Sequence, residues 1–115
     1  MKITLKTTAM FPTLSVAEGD YEMTRVGTFP SGKPIFGIER DGKTVQVNVD
    51  PADFVRHRTT DRFFVVVDEG PTLGLAQALR NSGVADRAGP SVMVNVGGPY
   101  ITPMKLEEAA QDALL

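Results

Sequence analysis

The stretch GIERDGKT at residues 37–44 matches the phosphate-loop pattern G-x-x-x-x-G-K-[ST] at every position. A working phosphate loop follows a strand and leads into a helix, whose first N–H groups cradle the phosphates. Here residues 44–49 alternate between β-branched and polar types, which is typical of a strand. Glu39 and Asp41 would also place carboxylates where phosphates must sit. We therefore predict a β-hairpin with Asp41-Gly42 in its turn, an exposed Lys43 and no nucleotide site.

A basic segment with aromatic neighbours is the second chemically suggestive pattern. Phe54, Arg56, His57, Arg58 and Arg62 lie close together, ahead of a further pair of phenylalanines. Arginines interleaved with aromatic residues can grip a phosphate backbone and stack on bases. The simpler interpretation, which we favour, places the phenylalanines in the core and the arginines on a solvated loop. Because such loops often carry binding residues, we predict that these five residues form the contact surface for a partner. The alternative is that the partner contacts acidic residues: Asp68, Glu69, Glu107 and Glu108.

Metal and cofactor chemistry finds little support in the residue types. The chain has no cysteine, and its single histidine, His57, is flanked by arginines that repel a cation. Asp50 with Asp53, or Asp68 with Glu69, could hold a hard cation, but neither pair has the ligand count of a calcium loop. No serine lies in a nucleophile elbow, and no dinucleotide fingerprint is present. We predict no metal, no cofactor, no catalytic residues and no enzymatic activity.

The composition is that of one globular domain spanning residues 1–115. Apolar residues make up 42% of the 115, enough to build a core without disulfides or metals. The net charge of −2 provides no global field that would attract nucleic acid. The first residues lack the apolar run of a signal peptide, and no stretch is long enough to span a membrane. We therefore expect a soluble, cytoplasmic protein without membrane contact.

The N-terminal half has the pattern of successive strands. Period-2 alternation, interrupted by turn residues, predicts four strands at residues 2–6, 20–26, 34–39 and 43–49. In the second strand, Tyr21, Met23 and Val26 are expected to face the core. Pro12 makes residues 10–14 an edge segment or a loop. Asp50-Pro51 predicts a single helical turn, with the aspartate as its cap.

The C-terminal half mixes strands and helices. The unbroken apolar run within residues 61–67 predicts a central strand that is covered on both faces. A helix is expected from Pro71 to Ser82, with Gly83 as its left-handed stop. Residues 84–90 are predicted to form a loop and residues 91–96 a strand. Thr102-Pro103 is expected to begin the last helix, as cap and first residue.

The order of these elements, β-β-β-β-β-α-β-α, predicts the fold class α+β. We expect a mainly antiparallel sheet of about five or six strands, with two helices in the C-terminal half. The strand order in the sheet and the oligomeric state do not follow from the sequence.

Four stretches resemble small uncharacterised accessory proteins of plasmids, phages and integrative elements. They are Asp41–Val49, Asp61–Val65, Ala76–Gly83 and Pro99–Pro103. In that pattern a hairpin is followed by a strand, a helix ending in glycine and a closing strand. The similarity covers residues 35–103 and departs at Asp68–Pro71 and in the C-terminal helix. It implies an accessory role on a mobile genetic element and assigns no site residues.

Three functions remain open at this point. The first is a non-enzymatic protein that binds a host or defence-system component, as anti-CRISPR and anti-restriction inhibitors do. The second is a small nucleic-acid-binding module that uses Arg56, Arg58 and Arg62; its affinity would fall steeply with salt. The third is a small enzyme or regulator, which would require perturbed carboxylates clustered in a cleft. We expect the first.

Overall fold

The computed structural model describes residues 1–56 and 58–115. The N-terminal half forms a four-stranded antiparallel meander in the order β1-β2-β3-β4. Its strands are β1 (Lys2–Leu5), β2 (Gly19–Thr28), β3 (Pro34–Arg40) and β4 (Lys43–Gln46). Apolar and polar residues alternate along these strands, and the apolar ones are buried: Ile3, Leu5, Tyr21 and Met23 face the core. The first four predicted strands are therefore present, and the fourth ends earlier than expected.

Val26 does not face the core as predicted, because β2 is irregular at this point. The register against β3 shifts between Arg25 and Gly27, so the alternation is broken there. Val26 is 50% exposed and covers Gly37 of the neighbouring strand, where an added Cβ would lie 2.9 Å from its Cγ1 atom.

The C-terminal half forms a second antiparallel sheet. Its strands are β5 (Phe63–Val67), β6 (Ala85–Arg87), β7 (Val92–Met93) and β8 (Tyr100–Leu106). Strand β8 is central, with β5 on one side and β6 and β7 on the other. The fold is thus α+β with antiparallel strands, as predicted, but the strands are divided between two sheets instead of lying in one.

The position of β5 differs from the prediction. It lies at the margin of the second sheet, where its outer side makes one bridge, from the N–H of Val49 to the carbonyl of Val65 at 3.0 Å. The centre of the strand is nevertheless buried on both faces: Phe64 and Val66 enter the main core, and Val65 is buried on the opposite face. The apolar run reflects this two-sided burial and not a central place in the sheet.

The expected helix start at Thr102-Pro103 is wrong, because both residues lie inside β8. The carbonyl of Pro103 accepts from Ala88 N at 2.9 Å, so its backbone faces the gap between the end of β6 and the start of β7. Proline has no N–H group, but at this gap no strand residue would accept a hydrogen bond from one, so the ladder loses nothing. Helix α2 (Glu108–Leu114) begins after the strand and buries Ala110 and Leu114.

The first helix is shorter than predicted. A 3₁₀ turn, Gly70–Thr72, is followed by Gly74 at φ 78° and only then by α1 (Leu75–Asn81). Gly83, at φ 79°, follows the helix end as predicted. Beyond it, Ala85–Arg87 is a strand where we expected a loop, and the predicted strand at 91–96 is reduced to Val92–Met93.

One hydrophobic core joins the two sheets and both helices. Phe36 of the first sheet and Phe64 of the second meet edge to face, with ring centroids 5.6 Å apart. Helix α1 contacts β1 and β6, and α2 contacts β2. Among the residues that the structure describes, no helix has the length and hydrophobicity required to cross a membrane.

Candidate functional site

The phosphate-loop match forms the predicted hairpin. Residues Asp41 and Gly42 have positive φ values of 53° and 78° and connect β3 directly to β4, with Arg40 paired to Lys43. Two consecutive residues of positive φ make the tight turn that suits the twist of a hairpin. The strand β4 occupies the place where a phosphate loop requires a helix, and Lys43 is exposed.

The structure brings part of the predicted basic segment together. Arg56 and Arg58 line one depression of about 330 Å³, and Lys33, from the turn before β3, lines it with them. Lys33 was not predicted, because it is distant from the arginines in sequence. His57 lies outside the described residues.

The remaining predicted contact residues lie elsewhere. Phe54 is half-buried at the end of the 3₁₀ turn Pro51–Asp53 and does not line the depression. Arg62 is turned toward the end of β8, where Nη2 donates to the carbonyl of Leu106 at 3.2 Å. Its buried Nε has no hydrogen-bond partner among the residues that the structure describes. The prediction that these residues contact a partner is not tested by this arrangement.

The acidic residues have structural roles in their immediate surroundings. Asp50 caps the 3₁₀ turn by accepting from Ala52 N, as predicted, and also accepts from Ser31 Oγ at 2.6 Å. Partial burial opposes ionisation of Asp50, but these hydrogen bonds prevail and hold its pKa below the usual value. Asp68 accepts from Gly74 N at 2.8 Å. Across residues 1–56 and 58–115, no three histidine or acidic side chains are placed to hold a metal ion.

A large exposed apolar area lies at another part of the molecule. Of nine large apolar side chains that are exposed in the described chain, seven come from the segment before β2 and the β7–β8 ribbon. They are Met10, Phe11, Val92, Met93, Val94, Val96 and Tyr100. Met10 is 81% exposed and Val96 is fully exposed. Exposed apolar side chains concentrated in two segments make this part of the molecule a candidate interaction site.

A groove of about 340 Å³ is lined both by the segment before β2 and by the base of the β7–β8 ribbon. Met10 and Phe11 line it on one side, and Ser91 and Thr102, at the base of the ribbon, line it on another. Leu73, Gly74, Ala76 and Gln77 complete most of the wall. We call the groove together with the β7–β8 ribbon the docking surface.

The docking surface has a sequence signal that our prediction missed. The three longest stretches without a charged residue are 7–17, 70–79 and 88–104, and each of them contributes to the groove. Among the described residues, only Asp68 and Arg87 bring charge to its lining. Each stretch alone has the composition of a loop or a core segment, and only the tertiary fold brings the three together.

Two backbone contacts and one side-chain hydrogen bond fix the shape of the groove. Ser15 N donates to the carbonyl of Leu73 at 3.0 Å, which ties the first uncharged stretch to the second. At Gly74 the approach is closer still, because a Cβ there would lie 1.9 Å from the carbonyl oxygen of Thr13. Ser91 and Thr102 share a hydrogen bond of 2.7 Å between their hydroxyl groups. Contacts within the chain therefore fix the walls of the groove.

We compared the chain with protein-family models, with curated proteins and with solved structures, and no match was found.

Proposed function

We propose that the protein acts by binding another protein through the docking surface. The observation that carries this proposal is the meeting of the three longest uncharged stretches at one groove beside an exposed apolar ribbon. Aromatic residues and methionine are enriched at protein interfaces, and Met10, Phe11, Met93 and Tyr100 provide them here. Burying their side chains would supply the hydrophobic driving force for association.

The partner should present an uncharged, largely apolar segment. A charged group that enters this surface would lose water, which is costly, and among the described lining residues it could pair only with Asp68 or Arg87. Asp68 is the main negative charge at the groove, and its carboxylate already accepts from Gly74 N. A lipid surface fits less well, since residues 88–104 contain no lysine or arginine to meet anionic headgroups.

The similarity to accessory proteins of plasmids, phages and integrative elements suggests the class of partner. In this proposal the partner is a host or defence-system component, and binding inhibits it, in the manner of anti-CRISPR or anti-restriction proteins. The protein needs no catalytic activity for this task, because a rigid scaffold with a complementary face is sufficient. The nucleic-acid alternative would instead use the basic depression.

Two charge substitutions test the docking surface. Met10→Glu combined with Val96→Glu places carboxylates on two highly exposed side chains, so the fold should tolerate them. We expect this variant to lose at least about 2 kcal/mol of binding free energy, the scale of an interface hot spot. The measurement is affinity for the partner, captured from host lysate with the wild-type chain and then purified.

The matched control is Val26→Glu combined with Leu115→Glu, the two large exposed apolar residues outside the docking surface. It should bind like the wild type. Arg56→Glu with Arg58→Glu, and Glu107→Lys with Glu108→Lys, test the basic segment and the acidic helix start in the same assay. Loss of binding in either of these pairs, with Met10→Glu/Val96→Glu unaffected, would contradict the proposal. Concentration-dependent self-association that Met10→Glu/Val96→Glu abolishes would instead assign the surface to a second copy of the chain.

A further inference from the structure

A second site is suggested by the three cationic side chains around the depression next to the 3₁₀ turn. Lys33, Arg56 and Arg58 line this space of about 330 Å³, with Ser31 and Thr59 also in its wall. No acidic residue is among the described residues that line it. A concave site lined by three cationic residues has the chemistry of an anion site.

The rim of the depression is ordered by polar contacts. Lys33 Nζ donates to the carbonyl of Thr59, and Asp61 Oδ1 lies 3.3 Å from the same nitrogen. The Lys33 side chain is therefore held in place and is largely buried, whereas Asp61 is exposed. Ser31, which also lines the depression, donates to Asp50, which caps the 3₁₀ turn. These contacts join the turn before β3 to the segment that carries the arginines.

The two arginines differ from Lys33, the third cationic residue of the depression. Within the described part of the chain, neither Arg56 nor Arg58 has a carboxylate within 4.0 Å, whereas Lys33 is paired with Asp61. Both arginines are exposed, so their guanidinium donors remain available to a ligand. Guanidinium groups bind phosphate through paired, charge-assisted hydrogen bonds, which are the stronger class of such bonds.

We propose that this depression binds a phosphate group of a small molecule. The ligand is a compact anion because the three cationic residues line one concave space and do not follow a track. A nucleic-acid backbone requires positive charge repeated along its path, and no other cationic side chain of the described residues lines the depression. The ligand is either free phosphate or pyrophosphate, or the terminal phosphate of a nucleotide. This site is separate from the docking surface and does not depend on the proposed function.

The test is a titration of the full chain with sodium pyrophosphate at constant ionic strength, followed by ¹H–¹⁵N NMR. We expect saturable shifts at the amides of Ser31, Lys33, Arg56 and Thr59. Arg56→Gln combined with Arg58→Gln should weaken binding at least about tenfold, because both guanidinium groups are removed. The control, Lys6→Gln with Lys43→Gln, removes the same charge from exposed positions outside the depression and should leave the affinity unchanged.

Parallel titrations with ATP and with a single-stranded oligonucleotide identify the source of the phosphate. Tighter binding of ATP than of pyrophosphate, at the same amides, would assign the site to a nucleotide, and equal or weaker binding would assign it to the free anion. Three results would overturn the proposal: no saturable shift with pyrophosphate or ATP, equal weakening in both double variants, or a saturable response to the oligonucleotide alone.

Discussion

Replacing Gly74 with alanine should lower the free energy of unfolding by about 3 kcal/mol or more. Two effects add at this position. Gly74 has φ 78°, a left-handed conformation that disfavours any side chain, and its missing Cβ leaves room for the backbone of Thr13. The new methyl carbon would lie 1.9 Å from the Thr13 carbonyl oxygen, so the segment before β2 must move. Urea unfolding followed by circular dichroism measures the loss.

Gly42 and Gly83 are matched controls for this prediction. Their φ values are 78° and 79°, yet a Cβ at either position would meet no atom within 4 Å. Alanine at these sites should therefore cost only the backbone strain, about 1 to 2 kcal/mol. Equal losses at all three glycines would show that the close approach at Gly74 does not contribute to stability.

Val65→Asp should lower the free energy of unfolding by about 3 to 5 kcal/mol. Val65 is 1% exposed, pairs with Pro103 of β8 and accepts through its carbonyl from Val49 N. A carboxylate at this position would be buried without a cation, and it would sit where a bridge connects the end of the first sheet to β5. The thermal midpoint and the urea midpoint should both fall sharply.

Val26→Asp makes the same change on an exposed strand position. Since Val26 is 50% exposed, the new carboxylate stays in water, and we expect a loss below about 1 kcal/mol. If the thermal midpoint of Val65→Asp lies within a few degrees of that of Val26→Asp, strand β5 is peripheral to the folded core.

Local features of the sequence predicted local features of the structure. Asp41-Gly42 predicted its hairpin because a turn with two positive φ values strongly favours these residue types. Asp50-Pro51 predicted its helical turn for a similar reason, since the cap and the first helical residue are chosen locally. The burial of Ile3, Tyr21 and Met23 followed from period-2 alternation.

The wrong predictions arose where distant residues determine the conformation. Thr102-Pro103 has the local pattern of a helix start, but the gap between β6 and β7 lets a proline lie in a central strand. Gly74 lies inside the helix expected from Pro71 to Ser82, whereas the approach of Thr13 makes it a break before α1. Neither neighbour can be identified from the sequence near the residue itself.

The candidate sites also combine features that the local sequence predicts with features that only the tertiary fold creates. The basic segment was visible because its arginines are close in sequence, yet Lys33 joins them only through the fold, and Arg62 turns away toward Leu106. The sequence did not predict the docking surface because residues 7–17, 70–79 and 88–104 contain no charged residues and no catalytic motif. Its three parts are separated by entire strands, and the tertiary structure alone shows that they meet.

Site-specific photo-crosslinking in host cells tests the central proposal most directly. A benzophenone amino acid placed at Met10 or at Val96 should form an adduct with one protein, and excess wild-type chain should suppress the adduct while excess Met10→Glu/Val96→Glu should not. The same amino acid at Glu22, an exposed residue of β2, is the control and should form no adduct. Adducts that form from Arg56 or Glu108 but not from Met10 and Val96, or no adduct from any position, would contradict the account.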